Sequence, residues 1–165
     1  MTIASVTRDL DALTLTLVAE YDAAPDRVWE LWADPRKLER WWGPPAYPAT
    51  VVAHDLVAGG SVSYYMTGPK GDRHWGWWRI VSVEPPSSLV FEDGFGDETG
   101  APDPSLPVTL ARVSIEAREG GGTRMVLVST FPSRETMDQV LAMGAEEGMR
   151  LALGQTDAIL TAAEG

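Results

Sequence analysis

Apolar residues recur at helical spacing within residues 21–45, the most strongly patterned part of the chain. Four of them form one broad apolar face, as an amphipathic helix requires: Val28, Trp29, Leu31 and Trp32. Pro25 suits the first turn of that helix, because its fixed φ is already helical and its missing N–H would have no partner there. Asp34, which a proline follows, repeats the start signal. We therefore predict two short helices, the second ended by Gly43-Pro44-Pro45.

Alternating apolar and polar residues predict strands on both sides of these helices. Leu13–Tyr21 alternates almost throughout, which is typical of a half-buried strand. The other predicted strands are separated by glycine and proline turn signals: Thr2–Arg8, Thr50–Leu56, Ser61–Thr67, His74–Val83, Leu89–Glu92, Val108–Arg118 and Thr123–Phe131. Strands follow one another without alternating helices, so we predict an α+β fold with an antiparallel sheet.

A helical pattern without proline runs from Ser133, which suits an N-cap, to about Ala162. Gly144 and Gly148 lie one turn apart on its apolar face, although each glycine costs roughly 1 kcal/mol against alanine in a helix interior. The pair indicates close backbone approach, a kink, or empty volume beside the helix. We predict one long C-terminal helix across a curved sheet, which closes a cavity unless large side chains fill it.

Length and charge narrow the class of protein further. The 165 residues predict a single domain over residues 1–165. A net charge of −11, from 13 Lys and Arg against 24 Asp and Glu, argues against binding to nucleic acids or anionic membranes. No apolar run approaches the ~20 residues of a membrane-spanning helix, and the N-terminus lacks a signal-peptide pattern. We therefore expect a protein that does not insert into membranes. Since cysteine is absent, as is common in a reducing compartment, we expect it to be cytoplasmic.

Few residues favour catalytic or metal chemistry. His54 and His74 are the only imidazoles, and without cysteine they form no recognisable metal site. The chain has neither a Gly-x-Ser-x-Gly motif nor a phosphate-binding loop. No acid–base pair is evident. We expect no metal and no cofactor, and we assign no catalytic residue.

The strand His74–Val83 is apolar on both faces, so its orientation matters for the cavity. Trp75, Trp77 and Arg79 share one face with Val81 and Val83, and they would lie near the cavity mouth if that face looks inward. Plain core packing, a dimer surface, or a bulge at Gly76 that exchanges the faces are the alternatives.

An inward Arg79 has two consequences. A buried cation needs a carboxylate, which either Glu92 or a ligand would supply, and both alternatives stay open. On the opposite face, Trp78 and Ile80 would be exposed, so self-association as a homodimer is a further expectation.

The acidic stretch from Asp93 to Pro107 is rich in glycine and proline and has no periodicity. Loops of this length are lids, binding loops or disordered insertions. The sequence leaves open whether residues 93–107 cover the cavity.

Several motifs resemble a known family. Trp29–Pro44 contains Trp-x-x-x-x-Asp-Pro-x-x-Leu-x-x-Trp-Trp-Gly-Pro, and Asp55–Gly60 ends in Gly-Gly. Together with Pro85–Phe91 and Gly121–Met125, these stretches are similar to the bacterial homologues of the heat shock protein 90 ATPase activator. That family belongs to the START-like, or SRPBCC, superfamily of helix-grip, Bet v 1-like folds. The family pattern before Pro85-Pro86 implies that the strand face with Val81 and Val83 looks inward, so we expect Trp75, Trp77 and Arg79 on the same face to line the cavity near its mouth.

The chain also departs from this pattern. Val57 stands where many relatives carry a basic residue, and Met149 stands where the final helix often has Gly-Trp. The resemblance implies the fold more closely than the activity, because members of the superfamily bind lipids or hormones, cyclise polyketides or act as co-chaperones.

Our first hypothesis is therefore the binding of a small, mostly hydrophobic ligand between the sheet and the C-terminal helix. A polyketide cyclase- or dehydratase-like enzyme that uses the same cavity is one alternative. A co-chaperone-like interaction protein is the other. The expected ligand-binding residues are Trp41, Tyr64, Trp75, Trp77, Arg79, Phe91, Met125, Leu127, Met143, Gly144 and Gly148.

Overall fold

The computed structural model describes the backbone of residues 2–164 and the side chains of residues 5–161. Its strands form one antiparallel sheet in the order β1-β2-β8-β7-β6-β5-β4-β3. Their bounds agree with the predicted strands to within a few residues, and the α+β helix-grip fold is confirmed. The strands are β1 Thr2–Asp9, β2 Thr14–Tyr21, β3 Ala49–His54, β4 Ser61–Thr67, β5 Arg73–Glu84, β6 Ser88–Phe95, β7 Thr109–Ala117 and β8 Thr123–Thr130.

One long-range pairing joins the two ends of the sequence within the sheet. β2 pairs with β8, so that residues 14–21 lie beside residues 123–130. All the other paired strands are neighbours in the sequence. The curved sheet therefore offers one continuous inner face, which carries most of the core.

Two short helices, α1 Pro25–Ala33 and α2 Pro35–Trp41, pack against this inner face. Pro25 is the first residue of α1, and the side chain of Asp34 caps α2 by accepting a hydrogen bond from the backbone N–H of Arg36 at 2.9 Å. Both helices begin where the sequence predicts. One aromatic cluster joins them to the sheet: Trp32, Trp41, Trp42, Trp78 and Phe91.

The C-terminal helical region is interrupted twice. It consists of α3 Arg134–Ala142, α4 Ala145–Leu153 and α5 Thr156–Glu164. Gly144 adopts φ +85°, a left-handed conformation that glycine tolerates and that ends α3. The helical region therefore covers the predicted residues, but as three segments rather than one rod, and Gly144 provides the kink that the sequence allowed.

The second interruption is attached to the end of α2. Nε2 of Gln155 donates a hydrogen bond to the carbonyl oxygen of Gly43 at 2.7 Å. α5 also contacts α1 and α2, so the last segment packs against both short helices. Within the described residues, no helix combines the length and the apolar character needed to cross a lipid bilayer.

A β-bulge at Val81 decides which face of β5 looks inward. Ile80 pairs with Phe91 and Ser82 pairs with Val90, which leaves Val81 as an extra residue. Its side chain is 49% exposed. The bulge exchanges the faces of the strand between its two halves.

The orientation predicted for the first half of β5 is therefore wrong. Trp78 and Ile80 are buried in the core, whereas Trp77 and Arg79 lie on the outer face. Val83 does pack against the core, but counting back from it in steps of two crosses the bulge and gives the opposite face. The prediction of self-association through Trp78 and Ile80 is also wrong, since neither side chain is at the surface.

Candidate functional site

A cavity of about 270 Å³ lies between the inner face of the sheet and helices α3 and α4. We call it the inner cavity. Its volume is just below the range that is usual for small-molecule pockets, about 300–1,000 Å³. The lining residues come from the end of α2, from three strands and from both helices: Trp42, Pro44, Tyr64, Met66, Asp93, Phe95, Thr109, Val140, Met143, Gly144, Ala145, Gly148 and Met149.

Two glycines keep the helical wall of this cavity open. A Cβ atom added at Gly144 or at Gly148 would meet no atom within 4 Å. Gly148 lies inside α4, where alanine would favour the helix by roughly 1 kcal/mol. Of the alternatives that the sequence left open, the pair therefore provides both a kink, at Gly144, and empty volume beside the helix.

The inner cavity contains a hydrogen-bonded pair of polar side chains. Oη of Tyr64, on β4, donates a hydrogen bond to Oδ1 of Asp93, on β6, at 3.3 Å. The β5 residue paired with Tyr64 is Gly76, where a Cβ atom would clash with the ring of Tyr64, and the next inward residue of β5, Trp78, is paired with Asp93. Gly76 thus allows the tyrosine to lie across β5 and reach the carboxylate. Because 3.3 Å is long for an O–H···O bond, Asp93 is only weakly satisfied.

The surroundings change the proton affinity of both groups. Asp93 is half-buried, because one side of its carboxyl borders the cavity. Desolvation raises the pKa of Asp93 to about 7, although the hydrogen bond from Tyr64 acts in the opposite direction. Desolvation, and then the negative charge of Asp93, raise the pKa of the Tyr64 phenol well above its usual value. Near neutral pH the site therefore holds a carboxyl that is poised to ionise beside a phenol that stays protonated.

Two buried indole N–H groups lie near the Tyr64 hydroxyl. Nε1 of Trp42 and Nε1 of Trp78 make no hydrogen bond within the described residues. Both act to lower the pKa of Tyr64, against the larger effect of burial. A buried donor without a partner costs about 1–3 kcal/mol. The weakly satisfied carboxylate therefore has two unsatisfied donors in its neighbourhood, one on the cavity-lining Trp42 and one on Trp78 in the core behind it.

An outer cavity of about 530 Å³ adjoins the inner one, and Met66, Phe95 and Met143 line both. Its remaining border is largely polar or aromatic: Tyr47, Arg73, His74, Trp75, Gly96, Asp97, Glu98, Asp103 and Leu106. Several of these residues belong to the acidic loop that follows β6, which therefore forms one wall of the outer cavity.

The acidic loop is held by its own side chains. Oδ1 of Asp97 accepts hydrogen bonds from the backbone N–H groups of Thr99, at 2.8 Å, and Ala101, at 3.1 Å. Gly96 and Pro102 form an isolated β-bridge. The loop begins after β6, so Asp93 is part of the sheet.

Five of the predicted ligand-binding residues border a cavity. Tyr64, Met143, Gly144 and Gly148 line the inner cavity, and Trp75 lines the outer one. The structure thus brings the two helix glycines, Met143 and the sheet residue Tyr64 around one cavity, and their role in ligand binding stays a prediction.

Two of the other predicted residues lie on the outer face of β5. The side chain of Arg79 is 64% exposed and forms an ion pair with Glu92, which is the structural alternative that the sequence left open. Nε1 of Trp77 donates a hydrogen bond to the carbonyl oxygen of Phe95 at 3.0 Å. Neither side chain lines the inner or the outer cavity.

Four further predicted residues belong to the packed core. Trp41 and Leu127 are almost completely buried. Phe91 stacks on Trp78 with ring centroids 4.1 Å apart. Met125 is buried as well. None of these four lines either cavity.

Asp93 is the main cavity residue that is missing from the predicted set. Its neighbours in sequence are acidic and rich in glycine, so it resembles the start of a loop. Leu89 and Phe91 are fully buried on the inner face. Continuing their period of two by one and two steps places Asp93 and Phe95 on the same face. That periodicity was the signal that could have identified the carboxylate.

The two histidines have separate structural contacts. Nε2 of His54 lies 3.0 Å from the carbonyl oxygen of Trp32. His74 pairs with Asp72 at the surface. Among the residues that the structure describes, no group of three or more His, Cys, Asp or Glu side chains is arranged to hold a metal ion.

The fold and the cavity define the class of protein. A curved antiparallel sheet that encloses a cavity with a C-terminal helical region, with two short helices after the first hairpin, is the helix-grip architecture of the START-like superfamily. The chain belongs to the Activator of Hsp90 ATPase homolog 1-like protein family, whose sequence profile matches residues 22–161.

Solved structures of bacterial proteins are similar to this chain. A solution NMR structure of a protein from Arthrobacter aurescens has a TM-score of 0.92 and 51% identity, over 97% of this chain and 92% of that chain. A crystal structure of a protein from Mycobacterium smegmatis has a TM-score of 0.88 and 48% identity, over 96% and 97%. None of the curated proteins compared with the chain matches it.

Proposed function

We propose that this protein binds a small, mostly hydrophobic ligand in the inner cavity. The observation that carries the proposal is the open volume beside Gly144 and Gly148, at the middle of the helical region that closes the sheet. Gly148 lies inside α4, where glycine costs roughly 1 kcal/mol relative to alanine, although a Cβ atom would have room there. Stability alone would therefore favour a larger residue at position 148, whereas a ligand site needs the open volume.

The chemistry of the walls supports the same proposal. Apolar side chains from the sheet and the helices surround a small number of polar groups, which is the usual composition of a small-molecule site. The fold family commonly binds hydrophobic ligands. The three methionines in the wall, Met66, Met143 and Met149, are unbranched and can adapt to the shape of a ligand.

Binding of a neutral aromatic probe tests this proposal. We expect 2-naphthalenemethanol to bind saturably to the wild type in isothermal titration calorimetry. Gly148→Leu should weaken that binding at least about tenfold, because the added side chain occupies the cavity and the probe loses contacts with its walls. A tenfold loss corresponds to about 1.4 kcal/mol of binding free energy. Glu147→Leu is the matched control, since it adds the same side chain one residue away at an exposed position of α4.

Two results would count against the proposal. One is the absence of saturable binding by the wild type. The other is equal weakening by Gly148→Leu and Glu147→Leu, which would mean that the probe binds outside the cavity.

A second candidate function is acid–base catalysis in the same cavity, as in a cyclase or dehydratase. A carboxyl with a pKa of about 7 favours it, because a general acid–base group works best when its pKa is near the working pH. An aromatic β-hydroxyketone should then be dehydrated, with kcat falling at least about 100-fold in Asp93→Asn. The pH profile of the wild type should show a titration near 7. A rate equal to that of buffer alone would eliminate this candidate.

A further inference from the structure

The carboxylate of Asp93 has no positively charged partner in the inner cavity. Its one hydrogen bond within the described residues comes from Tyr64 to Oδ1. No lysine, arginine or histidine is among the lining residues. Arg79, on the adjacent strand β5, is engaged with Glu92 on the outer face of the sheet. Buried or half-buried carboxylates normally have a cation or several donors beside them. The carboxylate of Asp93 has neither, so it lacks a counter-charge within the described residues.

Aromatic residues border the same space. Trp42, Tyr64 and Phe95 all line the inner cavity. The faces of such rings carry partial negative charge and attract cations, with the largest effect where water is excluded. The chain as a whole has a net charge of −11, which raises the local concentration of cations near the protein. The field inside the cavity and the field around the molecule therefore have the same sign.

We propose that the inner cavity selects ligands whose apolar, aromatic-sized body carries a cationic amine, and that this amine pairs with the carboxylate of Asp93. The inference rests on the proposed function, because it names the chemical class of the ligand of the same cavity. An ammonium group donates up to three hydrogen bonds and supplies the missing positive charge. A ligand carboxylate would instead meet a second negative charge once Asp93 is ionised, so fatty acids and aromatic acids should bind more weakly than neutral ligands of the same size.

The ionisation of Asp93 links this selection to pH. The titratable group that faces Asp93 from β4 is Tyr64. The facing positions on β5 and β7 are Trp78 and Thr109, which do not titrate. The lining residues of α3 and α4 carry no charged side chain. The pKa of Asp93 is about 7 in the free protein. Below pH 7, the affinity for the amine should therefore increase roughly tenfold for each unit by which the pH is raised, and above pH 7 it should level off.

A matched series of three naphthalene probes tests the inference. The probes share one ring system and differ in charge: 2-naphthylmethylamine, 2-naphthalenemethanol and 2-naphthoate. At pH 8 we expect the amine to bind the wild type at least about tenfold more tightly than the alcohol, because a hydrogen bond to a charged group contributes about 1.5–3 kcal/mol. The naphthoate should bind at least about tenfold more weakly than the alcohol. In Asp93→Asn the ratio of amine affinity to alcohol affinity should fall to about one.

The outcomes separate this inference from the proposed function. If the alcohol binds the wild type as tightly as the amine, charge selection is overturned while ligand binding in the cavity stands. If naphthoate binds most tightly, the sign of the selection is wrong. If none of the three probes binds, the proposed function fails, and the inference fails with it. The wild-type measurements decide these cases without any variant that depends on correct folding.

The pH dependence supplies an independent readout. As the pH is raised from 5.5 to 7, the affinity of the amine should increase while that of the neutral alcohol stays nearly constant. Parallel changes for both probes would show that pH acts on the cavity as a whole, and that would overturn the pairing with Asp93.

Discussion

The hydroxyl of Tyr21 and Oγ1 of Thr156 lie 3.0 Å apart in the buried core. Oγ1 of Thr156 donates its own hydrogen to the carbonyl oxygen of Leu153 at 2.7 Å, so Tyr21 is the donor in the first bond. Burial is the main cause that raises the pKa of Tyr21 to about 12, which keeps the phenol protonated. The two bonds connect strand β2 to the interruption between α4 and α5.

Replacing Thr156 by valine should therefore destabilise the fold. Thr156→Val keeps the shape of the side chain but leaves the buried Tyr21 hydroxyl without an acceptor, which costs about 1–3 kcal/mol. The free energy of unfolding in urea measures this loss. Thr161→Val is the control, because Thr161 lies on the same helix and donates to the carbonyl oxygen of Asp157 at an exposed site. We expect that control to change stability by less than about 0.5 kcal/mol, and equal losses would contradict the role of the buried pair.

The two cavity glycines should respond to alanine in opposite directions. Gly148→Ala should stabilise the protein by about 1 kcal/mol, because the position is helical and its Cβ would have room. Gly144→Ala should destabilise it by about 1–2 kcal/mol, because residue 144 has φ +85°. Thermal unfolding of the two variants checks this. Changes of the same sign would show that cavity volume, not backbone conformation, dominates at both positions.

Gly76 should be coupled energetically to Tyr64. Gly76→Ala should cost about 1–3 kcal/mol, since the new Cβ would displace the ring of Tyr64 from its path to Asp93. In a Tyr64→Val background the ring is absent, so most of that cost should disappear. A double-mutant cycle on the free energy of unfolding measures the coupling. Additive costs would mean that the ring of Tyr64 does not occupy the space beside Gly76.

Asp93 should make stability depend on pH near neutrality. Its pKa is higher in the folded protein, at about 7, than in the unfolded chain. The folded state therefore holds this proton more tightly, and the stability it contributes is present below the unfolded pKa and lost as pH rises through 7. Asp93→Asn removes that dependence, so the stability of the variant relative to the wild type should be greater at pH 8 than at pH 5 by about 2–3 kcal/mol. A relative stability that is the same at both pH values would show that Asp93 does not titrate abnormally.

Local signals in the sequence predicted the elements of this fold well. Pro25 and Asp34 specify helix starts through the chemistry of a few neighbouring atoms, and the structure places both helices there. The same holds for most strand bounds, because a period of two is visible within one strand. These features depend on residues close in sequence, which a single chain displays directly.

Features that depend on the pairing between strands were not predicted. The bulge at Val81 exists because β5 has one more residue than its partner β6 at that point, and nothing in the sequence of β5 alone marks it. Because the bulge was not foreseen, Arg79 was expected to look inward. An inward arginine suggested a ligand with a carboxylate, whereas the inward Asp93 favours a ligand with a cation. Asp93 was missed for a related reason, since the neighbouring glycines and acidic residues hid its place on the inner face of β6.

In the function that we propose, the two properties that select a ligand reside on different layers of the fold. Under that proposal Gly148, on the helical layer, sets how much space is available, whereas Asp93, on the sheet, sets which charge is accepted. A longer side chain at position 148 would shorten the accepted molecule without altering its ionic character, and a neutral residue at position 93 would do the reverse. Proteins that share this backbone could therefore diverge in specificity along two independent routes, each through the substitution of a single residue.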